Sequence, residues 1–344
     1  MQFDDAAAAE ARARIDGLAK PMGSLARLEA LAVQLAGIQG VASPAIVCPR
    51  VIVFAADHGV AWEEGVSAYP PSVTAAMIHT CVAGKAAVAV LARQAGASLE
   101  IVDVGVRGFE GEPRGITGVS FVRAPVAEGT ANLATGPAMT AEQRDAAIAV
   151  GRAAAERAAS NGVDALALGE LGIGNTTAAA ALVARLLGVS ATEATGPGSG
   201  LDAEGVQRKA AVVQKALDRG GSSEPLEALA DIGGLELAAL VGCMTRAAEL
   251  GLPVVLDGFI VGAAALVAVR ARPELSRFLI PATRSAEPAH VATLEAIGAG
   301  EPLLTLGLRL GEASGAALAL PLLRSSVRLL AEMATLQDVL DGNL

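Results

Sequence analysis

A few segments of this 344-residue chain combine residue types that can do chemistry. Gly169-Glu170-Leu171-Gly172-Ile173-Gly174-Asn175-Thr176-Thr177 runs into an Ala-rich helical stretch. Its glycines let the backbone approach a ligand closely, and Asn and Thr at a helix start offer donors to an anion. The run is not a dinucleotide fingerprint, because Thr177 stands where the third glycine belongs, nor a Walker loop, because no Gly-Lys-Ser/Thr follows. A second turn, Gly196-Pro197-Gly198-Ser199-Gly200-Leu201-Asp202, leads into a helix on which Lys209 shares a face with Asp202. Two such turns favour a phosphorylated substrate, although Lys209 by itself reads as a solvated surface residue.

Other polar groups are less specific. Asp57-His58-Gly59-Val60 offers an acid and a base, or simply caps a turn. Glu64 to Pro71 forms a loop with Ser67 and Tyr69, and Trp62 and Tyr69 are the chain's only Trp and Tyr. That pair suits a pocket wall or ordinary core filling. Arg284-Ser285-Ala286-Glu287 follows an apolar run, and Arg309-Leu310-Gly311-Glu312 opens a late helix, where a Glu either complements the macrodipole or serves as a carboxylate base.

These residues need elements to hold them. Short β-branched runs at 51–55, 99–104, 119–122, 164–168, 253–256 and 278–280 predict strands. Helical patterns at 72–94, 141–161, 176–187, 203–218, 235–250 and 259–271 alternate with them, and Thr140 with Gln143 forms a capping box. The rhythm is that of an α/β fold: a mostly parallel, Rossmann-like sheet with helices on both faces. Residues 4–40 and roughly 312–336 look helical with no strand between, which predicts a small helical domain built from both termini. The expected division is 1–45 with 312–344 for the small domain, and 46–311 for the large one. Residues 105–139 read as a long excursion. In such sheets ligands bind beyond the carboxyl ends of the strands, where the segments above begin.

Composition narrows the partners. With 53% hydrophobic residues and 39 glycines, the chain buries a large core without staples. A net charge of −10 gives no basic field for nucleic acid, and 2% aromatics leave no stacking platform. The charge-free run 258–269 is shorter than the roughly 20 residues that span a bilayer, and the acidic N-terminus is unlike a signal peptide, so a cytoplasmic protein is expected. Cys48, Cys81 and Cys243 read as reduced, buried thiols, and the three histidines show no zinc spacing, so neither metal nor cofactor is expected.

Together several segments resemble the nicotinate-nucleotide:5,6-dimethylbenzimidazole phosphoribosyltransferase family of the cobalamin pathway. They are Lys20 to Leu25, Ala56 to Val60, Gly65 to Ser67, Gly169 to Thr177, Gly200 to Asp202, Arg284 to Glu287 and Arg309 to Glu312, in family order. The resemblance implies a Rossmann-like domain, a small helical domain, a homodimer, and transfer of ribose phosphate from nicotinate mononucleotide to a benzimidazole nitrogen, giving α-ribazole 5′-phosphate and nicotinate. It implies Glu312 as catalytic base and Glu170 beside the ribose and base. Leu171, Gly174, Asn175, Ser199, Gly200, Lys209 and Ser285 become substrate neighbours, with Ser67 and Tyr69 in the benzimidazole pocket. Ala26 and Ala313 stand where the family usually has Gly. Two other readings are the same mechanism with a different base, and a non-catalytic sensor of a nucleotide or corrinoid precursor.

Overall fold

A computed structural model describes residues 1–113 and 115–343. Six strands form one sheet in the order β3-β2-β1-β4-β5-β6, every neighbouring pair parallel. They are β1 (Arg50–Ala56), β2 (Ser98–Gly105), β3 (Val119–Arg123), β4 (Leu166–Leu171), β5 (Val254–Leu256) and β6 (Leu279–Pro281). All six expected strands form. β4, however, runs three residues further than the apolar run at 164–168 suggests, so Glu170 and Leu171 lie on the strand, paired with Phe54 and Ala55 of β1. Pairing to an already ordered central strand carries it through Gly169 despite that residue's weak strand propensity.

The sheet separates two cores, as strand alternation requires. Ile52, Phe54 and Ala56 of β1 face the core made with helices Ala141–Ser160, Asn175–Leu187, Leu235–Glu249 and Phe259–Ala271. Val51, Val53 and Ala55 face the other, where Arg27–Gln39, Val73–Val82, Ala87–Gln94 and Ser314–Glu332 pack. The terminal helices also share a small cluster of their own, Ala11, Ile15, Leu18, Ala32, Ala36 and Leu330. The Ser314–Glu332 helix thus touches both the sheet and the N-terminal helices.

Three expectations are corrected. The continuous helix expected over 72–94 is two helices, because Gly84 turns left-handed (φ +73°) and ends the first. That stretch is apolar enough in composition to cross a bilayer (22 residues, mean hydropathy 1.6), yet both halves pack on β2. Cys48 is exposed, whereas Cys81 and Cys243 are buried. Glu312 is not in a helix first turn: it and Ala313 both adopt left-handed φ (60° and 63°), and the helix begins at Ser314. The 105–139 excursion, in which Arg114 is outside the described residues, supplies β3 and returns to the tip of β1, where Gly59 N–H donates to the Thr130 carbonyl (3.1 Å).

Candidate active site

A cavity of about 390 Å³ opens over the carboxyl ends of β4, β5 and β6. From β4 it receives Glu170. The turn that follows brings Asn175 to the start of its helix, and Asn175 Nδ2 donates to Glu170 Oε2. This turn has to be glycine: a methyl group at Gly172 would stand 2.3 Å from the Ala56 carbonyl oxygen, and Gly174 is left-handed at φ +97°. Burial first, then the charges of Asp257 and Glu236, push the Glu170 carboxyl well above its ordinary range.

From β5 comes Asp257, the residue next after the strand. Its Oδ1 accepts the Ala316 N–H (2.9 Å) and so caps the Ser314–Glu332 helix, whose own cap position is an alanine. The Thr283 hydroxyl donates to the Asp257 carbonyl (2.7 Å). Burial raises the Asp257 carboxyl to about 7, against these backbone donors.

Glu312 hangs from the loop just before that capped helix. Its side chain lies in the cavity wall at 6% exposure, with Oε2 lacking any hydrogen-bond partner. Burial raises its pKa. A side chain at Gly311 would collide with Glu170 Oε1 (2.6 Å), and one at Gly169 with the Ala313 nitrogen (2.2 Å). Bare backbone therefore brings the Glu312 loop down onto β4.

β6 leads to Ser285 and Glu287. Ser285 N–H donates to His290 Nδ1 (2.9 Å), and burial lowers His290 to about 4, so that ring is a neutral acceptor. Glu287 Oε1 accepts the Gly198 N–H (2.9 Å). The second glycine turn, expected to offer its backbone to a substrate anion, is thus partly filled by the protein's own carboxylate. Lys209 is fully buried rather than solvated: its ammonium donates to Thr176 Oγ1 (2.8 Å) and to the Gly196 carbonyl (3.1 Å), and burial lowers it to about 8 with Glu287 opposing.

Of the residues singled out in the sequence, Glu312, Glu170, Leu171, Asn175, Ser199, Ser285 and Tyr69 line this cavity. Gly174, Gly200, Lys209 and Ser67 do not. Gly174 lies behind Asn175 against Ala61, and Lys209 supports the glycine turn from behind. Ser67 Oγ accepts the Tyr69 N–H (3.1 Å) and so bears on the cavity only through Tyr69. Asp57 and His58 also stand outside. Asp257, Phe259 and Thr283 were not singled out, although position alone, the first or second residue beyond β5 and β6, marks Asp257 and Thr283.

Glu170, Asp257, Glu287 and Glu312 give the lining a carboxylate-rich character, and Arg309 is the one cationic side chain among its described residues. Tyr69, Val73, Met77, Leu171, Ile173 and Phe259 supply an apolar part of the wall. Such a site favours a flat ring on which positive charge is present or growing.

The chain matches the family model described as DBI_PRT, phosphoribosyltransferase, over residues 1–339. A relative from Pseudomonas putida strain KT2440, named nicotinate-nucleotide–dimethylbenzimidazole phosphoribosyltransferase, is 51% identical over 98% of this chain and 94% of its own. One of the same name from Ralstonia nicotianae is 50% identical over 97% of this chain and 93% of its own. The crystal structure of CobT from Thermus thermophilus superposes with a TM-score of 0.91 at 46% identity, covering 97% of this chain and 98% of that one. By sequence over nearly its whole length, and by fold, the chain belongs to the nicotinate-nucleotide–dimethylbenzimidazole phosphoribosyltransferase family of enzymes.

Proposed function

We propose that this enzyme transfers the phosphoribosyl group of nicotinate mononucleotide to 5,6-dimethylbenzimidazole, releasing nicotinate and forming α-ribazole 5′-phosphate. One observation carries the reading: the Glu312 carboxylate is buried, has a free oxygen, and shares a cavity with Glu170, Asn175, Ser199 and Ser285.

Nicotinate leaves as a neutral pyridine ring, so the departing side needs no general acid. One benzimidazole nitrogen bonds to C1′ as the bond to the pyridinium nitrogen breaks. Positive charge grows on the benzimidazole, and Glu312 accepts the proton of its other nitrogen. Attack opposite to departure inverts the β-linkage to α. Glu312 must be ionised for this step, so turnover falls as pH drops through its burial-raised pKa. Glu170 faces the ribose and the rings. Asn175, Ser199 and Ser285 flank the ribose phosphate, while Gly174, Gly200 and Lys209 shape the turns behind them.

The apolar wall of Tyr69, Val73 and Met77 favours a second, broader reading in which related flat bases are also accepted. An apolar pocket separates near-isosteric ligands by only ~1–3 kcal/mol. The enzyme works in this reading as a cytoplasmic homodimer without a metal or cofactor. Incubation of purified protein with nicotinate mononucleotide, with and without 5,6-dimethylbenzimidazole, tests the proposal. Nicotinate release only when base is present is the expected result. Nicotinate release that is the same with and without base and yields no α-ribazole 5′-phosphate is hydrolysis and refutes transfer; no nicotinate release and no α-ribazole 5′-phosphate returns the protein to a sensor role.

A further inference from the structure

Beneath the first glycine turn lies a pair of ionisable groups that the reaction above does not use. His58 Nε2 stands 2.8 Å from Glu236 Oε1, and both side chains are completely shielded from solvent. Neither lines the cavity. Gly234 makes room for the pair, and Gly172 and Gly174 pack against the histidine. A methyl group at Gly234 would come 2.6 Å from the His58 ring and 2.7 Å from Glu236, and those at Gly172 and Gly174 would come 3.5 and 3.4 Å from His58. The imidazole is therefore seated directly under the turn that joins Glu170 to Asn175. One atom of each partner, His58 Nδ1 and Glu236 Oε2, has no hydrogen-bond partner.

A fully buried ion pair seldom stabilises a fold more than apolar residues of the same shape, so packing alone gives little reason for it. Position gives another. The charges facing Glu170 are those of Asp257 beyond β5, Glu236 on the Leu235–Glu249 helix and Glu312 in the loop above, all negative. His58 faces Glu236 and its own neighbour Asp57. Asp57 in turn is held by the Arg107 N–H (3.0 Å). Burial alone would lower the His58 pKa, but the charge and hydrogen bond of Glu236, with the charge of Asp57, together outweigh it and keep the ring above its ordinary range.

We infer that His58 and Glu236 are positioning residues: the imidazolium offsets the Glu236 carboxylate from below and so sets the charge that Glu170 presents to the substrate. The inference rests on the proposed reading that Glu170 faces the ribose and rings. It makes a signed demand that a merely structural pair does not. Removing the histidine leaves an uncompensated carboxylate near Glu170 and raises its pKa; removing Glu236 also takes away the partner that keeps the buried ring charged, so both charges go together and the Glu170 pKa does not rise.

The test is the affinity for nicotinate mononucleotide, measured by calorimetry on the whole protein between pH 5 and 9, for wild type and for His58→Gln, Glu236→Gln and Glu170→Gln. Binding requires only folded protein, and each variant's thermal transition shows that it is folded. The substrate phosphate titrates alike in all four and cancels. Asp257 and Glu312 titrate in the same cavity and give changes common to all four proteins; the expected result is a wild-type component of the pH profile that vanishes in Glu170→Gln, moves up by about one pH unit in His58→Gln and does not move up in Glu236→Gln. At a fixed pH on the sloping limb, one unit is about a tenfold change in affinity. Should His58→Gln fail to fold, His58→Asn takes its place. No upward shift on removing the histidine, or an upward shift in both His58→Gln and Glu236→Gln, overturns the inference. A Glu170→Gln profile identical to wild type instead overturns the placement of Glu170 in the proposed function, which separates the two failures.

Discussion

Two acidic regions of this molecule are built on opposite terms. On the outer face, where Leu235–Glu249 crosses Ala141–Ser160, Glu249 meets three guanidinium groups, of Arg272 (2.8 Å), Arg152 (3.0 Å) and Arg246 (3.1 Å). Burial would raise its carboxyl, but these partners hold it at about 2. In the cavity, Glu170, Asp257 and Glu312 are more deeply buried and face no such cation, and all three are pushed upward. The outer cluster fastens helices and its charges are matched. The inner one is left without a matching cation, a condition that costs stability and that a bound positive charge would relieve.

The contrast can be broken in several ways. Glu312→Gln is expected to lower kcat by about 10²- to 10⁴-fold while leaving nicotinate mononucleotide binding nearly intact; wild-type turnover would remove the group that gives the inner region its purpose. Next come opposite pH slopes. Asp257 ionises at about 7 in the folded protein but near 3.8 when unfolded, so its contribution is complete below pH 4 and is lost as pH rises toward 7. In denaturant titrations Asp257→Asn should flatten that loss, on the order of a few kcal/mol across the window. Part of the gain is offset by the weaker helix cap. Glu249 runs the other way: its stabilisation is present above about pH 4.5 and disappears as pH falls toward 2.

The outer region also depends on close packing. A methyl group at Gly151 would stand 1.8 Å from the Ala239 carbonyl oxygen, so Gly151→Ala should cost roughly 1–3 kcal/mol in unfolding free energy and leave the pH profile of turnover unchanged. The smallest effect belongs to Glu249→Gln, at most about 1 kcal/mol near neutral pH, because the cluster is partly exposed and screened. A larger loss at high salt would show that the outer network is more than a surface fastening.

Much of this was legible in the residues. Strand-helix alternation fixed the sheet and its layers because strands buried on both faces must be apolar throughout. The rule that ligands sit beyond strand ends led to Glu170, Asn175 and Ser285. What local pattern could not show is where long-range packing overrides it. Glu170 reads as loop because Gly169 interrupts the apolar run, yet β1 pairs with it. Lys209 looks solvated on a helical wheel, but the glycine turn closes over it. Glu236 is an ordinary first-turn acid in sequence; only the fold brings it to His58, 178 positions earlier. Glu312 reads as helical because left-handed backbone is rare for residues other than glycine.

Ala26 and Ala313, two alanines that the sequence resemblance sets where glycine is expected, both have positive φ, 46° and 63°. The extra methyl trims the freedom of the unfolded chain but forces a twist that L-residues resist. At Ala313 the methyl is buried against Gly169, so packing recovers part of the loss. Ala26 is exposed and recovers none. Replacing Ala26 by glycine should therefore raise the melting temperature through about 1 kcal/mol of relieved torsion. The chain thus holds a latent gain in thermal tolerance at one surface bend that forms no part of the cavity wall.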